Sequence, residues 1–188
     1  MGWNLFSSPN LQVDERTIKK IKRGDRKVIL SLYNYVFDVL MSTAVRYKSN
    51  QEDQMTIVNN AFMKVIDKID KFKVGTAFLS WTKRIVINEA IDDFRRSKKY
   101  KAIFDLNDDV SQEVVANDEL DEHISSEVLL KMINQLPPAT KVVFNLFAVD
   151  GLKNKEIAEE LEITYETVKW HIKTARKEIR KQLSLKTA

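Results

Sequence analysis

Residues 152–183, LKNKEIAEELEITYETVKWHIKTARKEIRKQL, read as two short helices across a tight turn, and this pattern sets the fold class for the whole chain. In the second helix Val168, Ile172, Ala175, Ile179 and Leu183 recur every three or four residues and form one apolar stripe. Lys169, Lys173, Arg176 and Arg180 make a neighbouring row at the same period, with Trp170 and Lys177 beside them. From Lys169 to Lys186 seven Lys or Arg residues are opposed by Glu178 alone, a density suited to phosphate contact and salt-dependent binding. In the first helix Ile157, Ala158 and Leu161 give a short apolar face with a small residue where helices cross closely. Glu162 and Ile163 make the turn, and Thr164 can cap the second helix. An amphipathic helix with one apolar and one basic face is what a DNA major groove accepts. A generic helical hairpin with a solvated basic face is the alternative.

A chain of 188 residues accommodates one medium or two small domains, and 44% hydrophobic residues supply ordinary cores. Only four glycines and three prolines argue for long helices and few tight turns. The absence of cysteine excludes disulfides and thiolate metal sites. No apolar run approaches the ~20 residues of a membrane span, and residues 1–10 lack the pattern of a signal peptide. A cytoplasmic location without membrane insertion is therefore expected. The net charge of +4 is modest, so its distribution carries more than its sum.

Trp3, Leu5 and Phe6 could order a short extension. Asp14 can cap a first helix that Gly24 closes, and Asp25 caps a longer one running to about Tyr47 that is apolar on most of its circumference. Such a helix is central to its domain or faces a partner as well as a core. After a break at Ser49-Asn50-Gln51, a third helix has Val58, Ala61, Phe62, Val65, Ile66 and Ile69 inward, leaving Asp53, Thr56, Asn59, Asn60 and Met63 outward. A loop at 70–76 precedes a fourth helix, 78–98, with apolar residues on two faces. Ile87, Ala90, Ile91 and Phe94 make one. Phe78, Trp81 and Ile85 make the other, which continues into Asn88, Asp92, Arg95 and Arg96. Periodicity alone leaves two readings open: a helix buried on both sides, or one presenting aromatic and amide groups to an unstacked nucleic-acid base. RRSKKYK at 95–101 is then followed by nine acidic residues and no Lys or Arg over 102–130, the composition of a solvated linker.

A second domain starts near Ile124. Ser125 or Ser126 can cap a helix to Leu136, Pro137-Pro138 stops it, and another helix spans 139–148 before Asp150-Gly151. No strand pattern occurs, so the fold class is all-α: two small helical domains joined by an acidic linker, the second a four-helix domain with a helix-turn-helix. The boundaries read as 14–101, 102–123 and 124–188. His123 and His171 are too far apart to suggest a metal pair, and each reads as a surface histidine. No nucleophile has a base beside it. No catalytic residue, metal or cofactor is expected, and the protein is not expected to be an enzyme.

Two stretches resemble one family. LPPATKVVFNLFAVDGLKNKEIAEELEITYETVKWHIKTARKEIRKQL looks like the fourth domain of bacterial sigma factors. FLSWTKRIVINEAIDDFRR at 78–96, preceded by Gly24-Asp25 and the helix with Val58 and Phe62, is similar to the family's second-domain signature. Their order, their spacing and the acidic tether together identify the chain as resembling sigma-70 family factors of the compact extracytoplasmic-function type. The chain departs from the usual pattern at Thr56 and Asn59, where an Asp and a Gln are common. It departs again at Glu162, where Gly is common, and at Trp170, where a small or polar residue is usual.

The resemblance implies core RNA polymerase, promoter DNA and an anti-sigma factor as partners. Asp53, Thr56, Asn59, Asn60 and Met63 would dock the polymerase clamp helices. Trp81, Asn88 and the 70–78 loop would capture flipped bases of the minus-ten element, with Lys83, Arg84, Arg95, Arg96, Lys98 and Lys99 on phosphates. Lys169, Trp170, Lys173 and Thr174 would face base edges of the minus-thirty-five duplex, with Arg176 and Lys177 on its backbone. The linker would thread the polymerase channels that later carry RNA. Two other readings of the residues compete: a self-sufficient DNA-binding regulator and a helical adaptor for partner proteins. Neither needs an aromatic-amide face beside RRSKK.

Overall fold

The computed structural model describes residues 11–97 and 126–187. The expectations for Trp3, Leu5, Phe6, Lys98, Lys99, His123 and the acidic linker lie outside the described residues. The described residues hold helices and no strand, and contacts divide the chain into two compact units, Met1–Asp92 and Asp93–Ala188.

The first unit opens with α1 (Glu15–Lys22). Asp14 caps it, its Oδ1 accepting the Thr17 N–H at 2.7 Å. Gly24, at φ +76°, reverses the chain, a conformation that L side chains adopt with strain. Asp25 then caps α2 (Arg26–Tyr47), accepting the N–H groups of Lys27 and Val28 at 3.1 and 3.2 Å. Leu32, Val36, Leu40 and Ala44 form the fully buried stripe of α2, which packs on α3 (Gln51–Asp67) and α1.

By length and composition α2 could cross a membrane, which corrects the expectation that no segment would pass that test. Asp38 is the one charged residue within 28–45 and interrupts an otherwise apolar or uncharged run. The stripe packed on α3 gives α2 the part of a core helix.

The inward face of α3 is Ile57, Val58, Ala61, Phe62 and Val65. Ile57 thus joins the expected stripe, Ile66 is only half-buried, and Ile69 belongs to a 3-10 turn, Ile69–Lys71. In α4 (Phe78–Arg96) both expected apolar faces are buried, through Ile87, Ala90, Ile91 and Phe94 and through Phe78 and Ile85.

The second unit contains α5 (Ser126–Asn134), α6 (Pro138–Phe144), α7 (Asn154–Glu160) and α8 (Tyr165–Thr187). Pro138 occupies the first turn of α6, where its missing N–H is not needed. The α-helical part of α5 ends at Asn134 rather than Leu136, whose N–H closes a tighter turn onto Ile133 O at 3.1 Å. The helix expected over 139–148 changes character instead of running through. From Asn145 to Val149 it widens into a π-turn, with the Asp150 N–H donating to Asn145 O at 2.9 Å. Met132, Ile133, Leu136, Phe144, Ala175 and Ile179 form the core, with Val128, Leu129 and Leu183 packed against it.

Candidate nucleic-acid interface

The helix-turn-helix is built by α7 and α8. Ile157, Leu161 and Val168 are completely buried where the two helices meet. The turn between them passes through Glu162 at φ +50°, a left-handed conformation for a side chain with a Cβ. The sequence signalled that strain by placing Glu where a glycine is easier. Thr164 then starts α8, its Oγ1 accepting the Thr167 N–H at 3.1 Å.

Ala175 and Ile179 of α8 are buried, which turns the opposite side outward. At 100° per residue Lys169, Lys173, Arg176 and Arg180 fall within about 60° of one another, with Trp170, Thr174 and Lys177 on the adjoining strip. Lys169 and Lys177 are exposed; Trp170, Lys173, Thr174, Arg176 and Arg180 are half-buried. Several of these side chains have intramolecular partners. Lys169 Nζ lies 3.1 Å from Glu166 Oε2 and 5.7 Å from the centre of the Tyr165 ring. The Arg176 guanidinium stands 5.7 Å from the Phe147 ring centre, and Trp170 packs edge-on against His171 at 4.8 Å. Tyr165 and Glu166 were missed by the sequence reading. Their signal was position, since the first residues of a recognition helix are the ones that reach base edges.

His171 is not the surface residue expected. It is 1% exposed, its Nδ1 is 2.9 Å from the Thr140 hydroxyl, and burial pushes its pKa down to about 4. The imidazole is therefore neutral at neutral pH and serves the core.

In the first unit Thr56, Asn59, Asn60 and Met63 are exposed along α3, Met63 to 56%. Asp53 is half-buried and engaged in the helix cap. Its backbone N–H donates to Asn50 Oδ1 at 2.8 Å while its Oδ2 accepts from Asn50 Nδ2 at 2.6 Å. Trp81 is half-buried against Phe72 and Phe78, with ring centres 5.5 Å away in each case. Asn88 and Arg84 are exposed on the same side of α4 as Trp81, whereas Lys83 projects about 160° away from it. Lys83 therefore faces a different side of α4 from Trp81 and Asn88. Arg95 is half-buried and Arg96 exposed in the last turn.

The 70–78 loop borders a cleft of about 480 Å³ whose lining includes Leu11, Val13, Tyr35, Phe72, Val74 and Phe78. Its volume falls within the range of small-ligand sites. Leu11, Val13 and Tyr35 come from distant parts of the sequence, and no local pattern marked them.

The model of "Sigma-70 region 2" matches residues 32–100, and that of "Sigma-70, region 4" matches residues 126–179. The ECF RNA polymerase sigma factor SigW of Bacillus subtilis is 29% identical over 182 residues, covering 90% of this chain and 96% of that one. The ECF RNA polymerase sigma-E factor of Haemophilus influenzae is 24% identical over 184 residues, covering 90% and 95%. The sigma factor RpoE of Bartonella quintana, solved in complex with the anti-sigma factor NepR, overlays with a TM-score of 0.49 at 21% identity, covering 87% of this chain and 98% of that one.

Proposed function

Because the chain belongs to the sigma-70 family and to its extracytoplasmic-function type, we propose that it binds core RNA polymerase, recognises minus-thirty-five and minus-ten elements, and promotes melting. The observation that carries this reading is the pairing of two partly exposed surfaces of different chemistry in the order of the family. One is the basic side of α8 beyond its buried stripe; the other is the Trp81, Arg84 and Asn88 side of α4. The first suits intact duplex, where cations position the helix and side chains at its start read base edges. The second suits a base taken out of the stack.

Flipping a base costs a few kcal/mol, and stacking on an aromatic ring returns ~1–3 kcal/mol. Trp81 is braced from behind by Phe72 and Phe78, so its ring loses little freedom on stacking. The adjacent cleft offers room for a base. Thr56, Asn59, Asn60 and Met63 form the surface for the polymerase clamp, and the acidic segment 102–123 is the tether between the domains. The phosphodiester chemistry stays with the polymerase, in the cytoplasm, and an anti-sigma factor would act by covering the polymerase-binding surface.

Reconstitution with core polymerase and mapping of transcript 5′ ends tests the proposal. Start sites should cluster at a fixed distance from shared upstream elements. A protein that fails to bind core, yet footprints paired half-sites alone, would instead be a self-sufficient regulator.

A further inference from the structure

An ionisable side chain lies buried between α3 and α4 where the proposed function gives it no part. Glu89 is 1% exposed, and both its oxygens are engaged from α3. Asn60 Nδ2 donates to Oε1 at 3.1 Å, and Lys64 Nζ lies 2.5 Å from Oε2. Lys64 also reaches Asp92 Oδ2 at 2.9 Å, so two carboxylates of α4 hold one ammonium of α3. A buried ion pair is a weak source of stability, since apolar residues of similar volume often replace it at no loss. In this protein the contacts hold Asn60 and Lys64 in one orientation.

A carboxylate accepts hydrogen bonds and cannot donate them. Asn60 must therefore turn its amide nitrogen toward Glu89, which leaves its carbonyl oxygen facing outward. Glu52, Thr56, Asn59, Asn60, Met63 and Asp67 share one side of α3 within about 60° of Thr56. That surface is acidic at both ends, amide-rich between them, and carries the exposed Met63. Lys64 lies at its margin. A free lysine there would swing its ammonium over the acceptors, but Glu89 and Asp92 draw it away.

We propose that Glu89 is a positioning residue for the polymerase-facing side of α3, fixing Asn60 as an outward hydrogen-bond acceptor and withdrawing Lys64, so that the surface takes a donor-rich, basic partner segment. This rests on the reading of that side as the polymerase contact.

The test uses the full-length protein with Glu89→Gln, with the paired replacement Lys64→Met/Glu89→Leu, and with Asn60→Ala in each background, read by thermal unfolding and by affinity for core polymerase. The paired apolar replacement should melt like the wild type but bind core about tenfold more weakly. Asn60→Ala should weaken binding in the wild-type background and leave it unchanged in the paired one, because there Asn60 is no longer oriented. Glu89→Gln is nearly isosteric and gives a second reading: binding about tenfold weaker among folded molecules. Wild-type core affinity in the paired variant, or an equal loss from Asn60→Ala in both backgrounds, overturns the proposal. A wild-type protein that does not bind core overturns the underlying reading instead, and shows it before any variant is measured.

Discussion

Acidification should loosen the second unit through His171, and the size of the effect follows from its burial. The imidazole is 1% exposed and next to the Thr140 hydroxyl, with its pKa lowered from 6.5 to about 4 because the charged form loses its hydration. The folded state therefore binds fewer protons than the unfolded chain between those two values. For a base with a depressed folded pKa, the stabilising contribution is present above the unfolded pKa and is lost as pH falls toward the folded one. Linkage puts the loss at about 2 kcal/mol between about pH 7.5 and pH 5, on the order of 10 °C in the unfolding midpoint of a unit this size. The assay is thermal unfolding at both pH values for the wild type and for His171→Gln, whose amide can still pair with Thr140 and does not titrate. Carboxylates elsewhere titrate alike in both proteins, so the difference between the two melts isolates His171. Proton NMR gives an independent check, because the chain has only two histidines. A resonance of folded His171 that titrates near 6.5, or identical pH dependence in both proteins, refutes the reasoning.

Three further outcomes follow from the same structure. Thr164→Ala removes the cap of α8 and should destabilise the protein by about 1 kcal/mol, measured by urea unfolding. Lys173→Ala should weaken binding of the holoenzyme to minus-thirty-five duplex and reduce the slope of log affinity against log salt by about 1, measured by fluorescence anisotropy. Trp81→Ala should weaken holoenzyme binding to a single-stranded minus-ten strand by ~1–3 kcal/mol while leaving duplex minus-thirty-five binding in place, which a matched pair of probes separates.

What the sequence made legible was local. Asp14, Asp25 and Thr164 cap helices as their positions implied, because a cap needs only a short side chain within reach of N–H groups two or three residues on. The α3 pattern was legible because a buried stripe on a single helix repeats at 3.6 residues. His171 shows where a signal was present and misjudged. It stands three residues after Val168 and four before Ala175, the spacing of a buried face, yet its chemistry suggested solvent. Glu89 was concealed for a related reason: its partners Asn60 and Lys64 come from another helix, and no pattern within α4 reports them. The cleft beside the 70–78 loop joins Leu11, Tyr35 and Phe78 and is equally non-local. The π-turn at Asn145–Val149 has no account in the sequence pattern at all.

The side chains of the proposed duplex reader bear on how strongly it can bind alone. Lys169 is paired with Glu166, and Arg176 stands over Phe147, so part of their attraction for phosphate must be exchanged for contacts they already hold. An exposed ion pair contributes about 0–1 kcal/mol and a cation–π contact about 0.5–1 kcal/mol, which is enough to lower the affinity of the isolated protein for duplex but too little to prevent binding. On the proposed function polymerase would carry both promoter surfaces, so the second contact would become intramolecular and its effective concentration would rise to about the millimolar range for a short tether. A weak isolated minus-thirty-five contact is then an advantage, because the free protein would not occupy duplex DNA in place of the holoenzyme. Glu166, whose carboxylate lies 3.1 Å from the Lys169 ammonium, is the residue whose replacement tests this. Glu166→Gln should free Lys169 and strengthen binding by the isolated protein more than binding by the holoenzyme, and an equal gain in both would show that the pairing has no part in restraining the free chain.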